Sequence, residues 1–185
     1  NMKKIFIILL LTILPAENNL YLDNNFTLMV DPVMRSTTSS YFLYSTHNLS
    51  FRLIDKYIPT SFMKERHFFI KVLGGTYRYG KWILLDRQID YYLMLVQHEI
   101  FGHGEKLRAY GASNANYKLH LIWPYDKGGG WASADGYVSW HESIAISFNG
   151  SQSNTVLADY IEERIILNGE SSHYQAQFYN RVSRD

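Results

Sequence analysis

The sequence predicts an α+β fold in which a small antiparallel sheet packs on a buried helix and on two further helices. Three observations support this class: short alternating or aromatic runs in the first half, a long helix that is apolar on nearly every face, and two capped helical patterns near the end. The chain has 185 residues, of which 46% are apolar and 19% are charged, which suits one globular domain with its own core. This composition argues against a disordered tail or a coiled coil.

Charge and cysteine content narrow the classes of function. The chain has 18 Lys and Arg against 17 Asp and Glu, and no basic cluster interleaved with aromatic residues, so we do not expect nucleic-acid binding. It has no cysteine, which excludes thiolate nucleophiles, disulfides and iron–sulfur clusters. A bound metal would therefore be held by His, Asp and Glu.

The first sixteen residues have the layout of a secretory signal peptide. Two lysines precede an apolar run over 5–14, and Pro15 and Ala16 follow at a position suited to cleavage. The run is too short, at about ten residues, to span a bilayer comfortably. We expect residues 1–16 to direct export to a periplasm, a cell envelope or the medium, with an uncleaved, membrane-associated anchor as the alternative.

The remaining residues, 17–185, are expected to form a single domain. The sequence stops soon after a predicted helix, so a C-terminal truncation of this domain is an open alternative. Within it, the alternation of Leu49, Phe51 and Leu53 and the aromatic or β-branched runs at 68–73 and 82–85 predict strands. We therefore place the sheet in the N-terminal half.

The most informative segment is a predicted buried helix. Asp86 or Asp90 can serve as its N-cap, and Gly111 is a natural residue to follow its end. Because the segment is apolar on nearly every face, it should lie at the centre of the domain.

This helix carries His98, Glu99 and His103. Burial of two imidazoles and a carboxylate costs several kcal/mol unless each group finds a partner, and a divalent metal would partner all three. The alternative is an ordinary core helix whose histidines are hydrogen-bonded within the protein.

The two histidines are five residues apart, whereas a regular helical zinc site places them four apart. Five residues of an ideal helix turn about 500°, which leaves the side chains roughly 140° out of line. A π-bulge would absorb the extra residue, and Gly102 is where the backbone deforms most easily. The spacing therefore predicts a distorted helix between His98 and His103.

A second helix is predicted to supply the third metal ligand. Ser133 or Asp135 can cap it, it ends at Gly150, and Glu142 projects from its apolar stripe. Two histidines and this glutamate would leave the fourth position of zinc to water, as in a catalytic site. Glu142 is the first choice for the third ligand, and the alternatives are His141, followed by Glu105, Asp135 and Asp159.

Three further features surround these helices. Alternation over 117–123 predicts a strand that could present an edge to an extended peptide, and the glycines at 128–130 predict a flexible connection or lid. A last helix is predicted from Ser153 to Gly169. Asn154 and Asp159 on this helix are candidates to hydrogen-bond the ligating histidines, with solvent-facing roles as the alternative.

The segment His98–His103 reads HEIFGH, which resembles the HExxGH zinc motif of the dipeptidyl-peptidase III family. In that family both histidines bind zinc, the intervening glutamate activates water, and the third ligand is the second glutamate of an EExx(K/R)AE segment. Residues 141–146 are the nearest counterpart here, with Glu142 at the ligand position and the other defined positions different. The resemblance covers these two segments and implies a zincin-like metal site.

The resulting expectation is an exported, gluzincin-like zinc metallopeptidase that acts on a peptide or protein substrate. His98, His103 and Glu142 would hold Zn²⁺, and Glu99 would be the general base. The candidates for stabilising the transition state are His173, Tyr174, Tyr137 and His120. The alternatives are a metal-dependent hydrolase of a non-peptide substrate and a non-catalytic cell-envelope protein with a structural His/Glu cluster.

Overall fold

A computed structural model describes residues 29–57, 68–136, 138–169 and 172–184. These residues are mostly helical and contain one two-stranded antiparallel sheet, so the α+β class is confirmed in this coarse form. No helix in the described part of the chain has both the length and the apolar character needed to cross a membrane. The predicted signal peptide, residues 1–16, lies outside the described ranges.

The first helix, α1, spans Ser36–Tyr57, so the strand predicted around 49–53 is wrong. The buried stripe of α1 has helical spacing, but some of its residues are polar. The pattern of apolar residues alone therefore does not predict this helix. The members of this stripe are Ser40, Leu43, Tyr44, His47 and Phe51. Serine and threonine hydroxyls along α1 donate to carbonyls one turn earlier, as Ser40 Oγ does to Ser36 at 2.9 Å.

A long central helix occupies 68–109. It consists of α2 (Phe68–Lys81), a π-helical segment π1 (Trp82–Asp86), α3 (Arg87–Leu95), a second π-helical segment π2 (Val96–His103) and α4 (Gly104–Ala109). The junction residues keep right-handed helical dihedral angles, so the segments form one continuous helix.

This continuity corrects the strands predicted at 68–73 and 82–85, which are helical. The nearby glycines suggested turns, but Gly75 and Gly80 lie within α2. The predicted end of the helix is confirmed, because Gly111 adopts a left-handed conformation, with φ of 73°, directly after the C-cap residue Tyr110.

The sheet is a hairpin of β1 (Ser113–Leu119) and β2 (Gly130–Asp135), in which Leu119 pairs with Gly130. The prediction that the sheet lies in the N-terminal half is therefore wrong. The strand predicted over 117–123 is confirmed only at its start, because β1 ends at Leu119. Ser133 and Asp135, predicted as helix caps, belong to β2.

The connection between the two strands is tied to the central helix. The Gln88 side chain donates to the Trp123 carbonyl at 3.1 Å and accepts from the Ile122 amide at 3.2 Å. The Gly129 amide donates to the Tyr91 hydroxyl at 2.6 Å, and Gly129 has a φ of 95°. Gly128 and Gly129, both with positive φ, thus supply the backbone conformation of a turn that is hydrogen-bonded to the central helix.

A single helix of 29 residues, α5 (Trp140–Asn168), follows the hairpin. Ser139 is its N-cap, and Gly169, with φ of 68°, follows its end as predicted. The sequence predicted two helices with a break between Gly150 and Ser153, and this is corrected because both residues are buried in the interior of α5.

The last helix, α6 (His173–Val182), completes a core formed with α1, α3 and α5. The core residues are Leu43, Tyr44, Leu93, Met94, Leu95, Leu157, Ala158, Ile161, Phe178 and Val182. A buried polar cluster lies beside it: Asp90 bonds Nε2 of His47 at 3.0 Å and accepts from Gln177 at 2.7 Å. The core therefore holds π2 firmly between α1 and α5.

Candidate metal centre

The site is built on π2, the distorted part of the central helix. The amide of Gly104, which follows π2, bonds the carbonyl of Glu99, five residues earlier. A turn that closes over five residues rather than four absorbs the extra residue between His98 and His103. The distortion predicted from their spacing is therefore confirmed.

Three side chains of π2 form a compact donor group. One ligand-type atom each from His98, Glu99 and His103 can be chosen so that all three lie within 4.8 Å of one another. The two imidazole rings meet edge to face, with centroids 4.8 Å apart and planes at 80°. Imidazole nitrogens and carboxylate oxygens are the donor types that bind zinc in proteins that use no cysteine ligands.

Gly150 of α5 marks the point where the two imidazoles converge. A Cβ atom added to Gly150 would lie 2.7 Å from Nε2 of His103 and would also collide with Nε2 of His98. Both Nε2 atoms therefore lie close to the same point beside α5, and any side chain at position 150 would displace them. Their closeness to one another, with the Glu99 carboxylate in the same group, is the observation that the residues present fit a metal ion.

The other ring nitrogen of His103 is held by the backbone of α5. Nδ1 lies 2.6 Å from the carbonyl oxygen of Ile146, and a carbonyl can only accept, so Nδ1 carries the proton. In the neutral ring Nε2 then has the lone pair, on the side that faces Gly150. A backbone carbonyl on the second nitrogen is the usual support of a metal-ligating histidine.

His98 is supported by Asn154, which the sequence analysis proposed as a partner for the histidines. The carboxamide of Asn154 is buried, and its nitrogen lies 3.3 Å from Nδ1 of His98. A half-turn of this amide would present Oδ1 instead, which would accept a hydrogen bond from a protonated Nδ1 and leave Nε2 able to ligate. Asp159, the other residue proposed for this role, is exposed on α5.

Glu99 turns toward the hairpin. A Cβ atom added to Gly130, the first residue of β2, would lie 2.6 Å from both Cγ and Oε1 of Glu99. Glycine is therefore required where the strand passes the carboxylate. Glu99 is only 6% exposed, so its carboxylate is enclosed between π2 and β2.

Glu142, predicted as the third ligand, lies outside the donor group. It occupies the first turn of α5, where its carboxylate accepts from the Ser139 amide at 2.7 Å in a capping box. Hydrogen bonds with the Ser139 side chain and backbone hold the pKa of this carboxyl below its usual value. Glu142 precedes Gly150 by eight residues, or about 12 Å of helix. The structure therefore gives it a capping role.

The alternatives for the third ligand are also outside the donor group found in the described part of the chain. Glu105 accepts from the Ser36 amide at 2.8 Å, at the start of α1. Asp135 accepts from Asn114 at 3.1 Å, and His141 and Asp159 are exposed.

Among the described residues, those proposed to stabilise a transition state have other partners or lie on the surface. His120 is exposed and pairs with Asp126 at 2.6 Å. His173 is exposed at the start of α6, and the Tyr174 hydroxyl accepts from Lys81 at 3.0 Å. Tyr137 lies outside the described residues.

Sequence reasoning missed Gly150 and the Ile146 carbonyl. Gly150 was interpreted as a helix end because glycine usually interrupts helices. The contact of Gly150 with the two imidazoles is visible only when α5 is packed against π2.

None of the family models, curated proteins or solved structures compared with the chain matches it.

Proposed function

We propose that this protein is a metal-dependent hydrolase in which His98 and His103 hold a divalent ion and Glu99 is the general base. The observation that carries the proposal is that both Nε2 atoms lie close to one point beside Gly150, in one group with the Glu99 carboxylate. An imidazole pair favours zinc, copper, iron or nickel over magnesium and calcium, and zinc is the ion we propose.

The bound ion would supply a lowered pKa for a coordinated water and polarisation of a carbonyl group. Glu99 would take one proton from that water and deliver it to the leaving nitrogen or oxygen as the acyl bond breaks. The carboxylate is enclosed by π2 and β2, which limits its motion during this transfer. The Ile146 carbonyl and Asn154 would keep the two imidazoles oriented.

The substrate class that we propose is a peptide bond or a similar amide, in an exported protein. This choice rests on the resemblance of residues 98–103 to a zinc peptidase motif and on the signal-like pattern of residues 1–16. An ester or another non-peptide acyl compound is the rival substrate, because activated water does not distinguish the carbonyl it attacks.

A second candidate function is non-catalytic metal binding with Glu99 as the third ligand. The observation in its favour is that the Glu99 carboxylate belongs to the same 4.8 Å group as the histidine nitrogens. In this case all three side chains would bind the ion, and no residue of the group would be left to move a proton.

Replacement of Glu99 by glutamine distinguishes the two candidates. The readouts are zinc affinity, by competition with a chelating dye, and hydrolysis of fluorescein-labelled casein and of p-nitrophenyl acetate. If Glu99 is the base, Glu99→Gln keeps its zinc affinity and loses about 10²–10⁴-fold in rate. Full retention of hydrolysis by Glu99→Gln would exclude Glu99 as the base.

The matched control is Glu105→Gln, a glutamate six residues further along the same helix whose carboxylate caps α1. It should retain both zinc binding and hydrolysis. A large loss of zinc affinity in Glu99→Gln alone, together with a wild-type protein that hydrolyses neither probe, would establish the second candidate.

A further inference from the structure

The residue before the first histidine ties three helices together. Gln97 of π2 is completely buried, and its amide nitrogen lies 2.8 Å from the Ser153 carbonyl of α5. The same nitrogen lies 3.1 Å from the Ser36 carbonyl and from Ser40 Oγ, both of α1. One side chain thus fixes π2 against both neighbours.

The side chain of Ser153 in turn bonds the backbone of Gln97. Its hydroxyl lies within donor distance of two carbonyl oxygens, that of Gln97 at 2.9 Å and that of Gly150 at 2.6 Å. The side chain of each residue therefore bonds the main chain of the other. We call this reciprocal pair the Gln97–Ser153 clasp. It adjoins the proposed metal centre, because Gln97 precedes His98 in the chain and Ser153 bonds the carbonyl of Gly150.

Side chains bond the backbone along the rest of π2 as well. Asn149 donates to the Gly102 carbonyl at 2.7 Å, and Arg108 donates to the Ile100 carbonyl at 3.3 Å. π-Helical turns are rare and close over five residues instead of four, so these bonds favour the wider register. A return to regular α-helix would turn His103 by about 100° relative to His98.

The side chain of Gln97 is not the one that would stabilise the folded protein most at this position. Its Oε1 atom is buried and makes no hydrogen bond within the described part of the chain. Such an acceptor is destabilising, and an apolar side chain of the same shape would avoid it. The amide is therefore better explained by what it positions than by the packing it provides.

We propose that the Gln97–Ser153 clasp positions His98 and His103 by holding π2 in its wide register against α5. The inference rests on the metal centre proposed above. Gln97 and Ser153 are positioning residues, since neither belongs to the donor group.

The test compares zinc affinity and the visible spectrum of the Co²⁺-substituted protein for wild type, Ser153→Ala and Gln97→Met. We expect both variants to bind zinc about 10- to 100-fold more weakly and to shift the cobalt bands, because the imidazoles no longer hold one geometry. Ser153→Ala removes one hydroxyl in a helix interior, so it should fold even if Gln97→Met does not.

The matched control is Gln177→Met, which also removes a side-chain amide bond, that to the buried Asp90, but one that joins α6 to α3 and not to π2. It should lose stability in urea unfolding while it keeps the wild-type zinc affinity and cobalt spectrum. Clasp variants that behave like this control would overturn the proposed positioning role. A wild-type protein that binds no zinc would instead overturn the metal centre itself, and the clasp proposal with it.

Discussion

Nδ1 of His103 lies 2.6 Å from the backbone carbonyl oxygen of Ile146, in the interior of α5. A side chain can reach this carbonyl because Gly150, one turn further along α5, carries no Cβ. The same absence leaves space for the Nε2 atoms of both histidines. Glycine is less favourable than alanine in a helix interior by about 1 kcal/mol, so the imidazoles rather than helix stability explain this residue.

Gly150→Ala should therefore weaken zinc binding. The added methyl group would occupy the space between the imidazoles, and we expect a loss of affinity of about 10- to 100-fold, comparable to the loss of an outer-shell partner. The control is Gly75→Ala, where a Cβ meets nothing within 4 Å. Gly75→Ala should raise the free energy of unfolding by about 0.5–1 kcal/mol and leave zinc affinity alone. Wild-type zinc affinity in Gly150→Ala would show that the ion, if bound, lies elsewhere.

Gly102→Ala should destabilise the fold. A Cβ at this position would lie 2.8 Å from Gly150 Cα and 2.9 Å from the Asn149 carbonyl oxygen, both backbone atoms that cannot rotate away. We expect a loss of about 1–3 kcal/mol, measured by urea unfolding, as α5 moves away from π2. Unchanged stability would mean that the two helices are not in such close contact. Gly102 is helical, so its importance comes from close approach rather than from the flexibility suggested by the sequence.

Glu142→Gln should leave zinc affinity unchanged, because the carboxylate caps α5 instead of joining the donor group. The pH dependence of stability should change. Since folding lowers the pKa of Glu142, its contribution is present above the unfolded value, near 4.5, and is lost as the pH falls through the folded value. Wild type should therefore lose more stability than Glu142→Gln between pH 5 and the acid limit of folding. If Glu142→Gln loses zinc binding, Glu142 is a zinc ligand and this account of its role is wrong.

Asp90→Ala should lower the free energy of unfolding by about 3 kcal/mol, because it leaves the buried His47 and the partly buried Gln177 without their shared partner. The comparison is Asp126→Ala, which breaks a His–Asp pair of similar length that is exposed. Asp126→Ala should change stability little, since water replaces the lost interaction. If urea unfolding shows the same loss of stability in both variants, burial does not determine how much a His–Asp pair stabilises this protein.

The part of the site that could be predicted from the sequence is the part encoded by local spacing. Two histidines five residues apart cannot share a helical face without a wider turn, and π2 provides one. Gly111 and Gly169 marked helix ends correctly because their left-handed conformations are local properties. Asn154 was identified as a partner for the histidines by residue type, and it contacts His98.

The part that could not be predicted depends on packing between distant segments. α1 hides its helical period because Ser40 and His47 belong to its buried stripe, where their polar groups find partners in other helices. Gly150 signals a break in isolation and becomes a contact point only beside π2. Glu142 matches a ligand pattern, but its place in the first turn of α5 directs its carboxylate to the helix end.

The most direct test of the central claim is X-ray absorption at the zinc edge of the zinc-loaded, full-length protein. The account predicts one zinc per chain with two imidazole nitrogens at about 2.0–2.1 Å, and loss of their scattering in the His98→Ala, His103→Ala double variant. A spectrum without imidazole ligands, or one that is the same in wild type and the double variant, would contradict it.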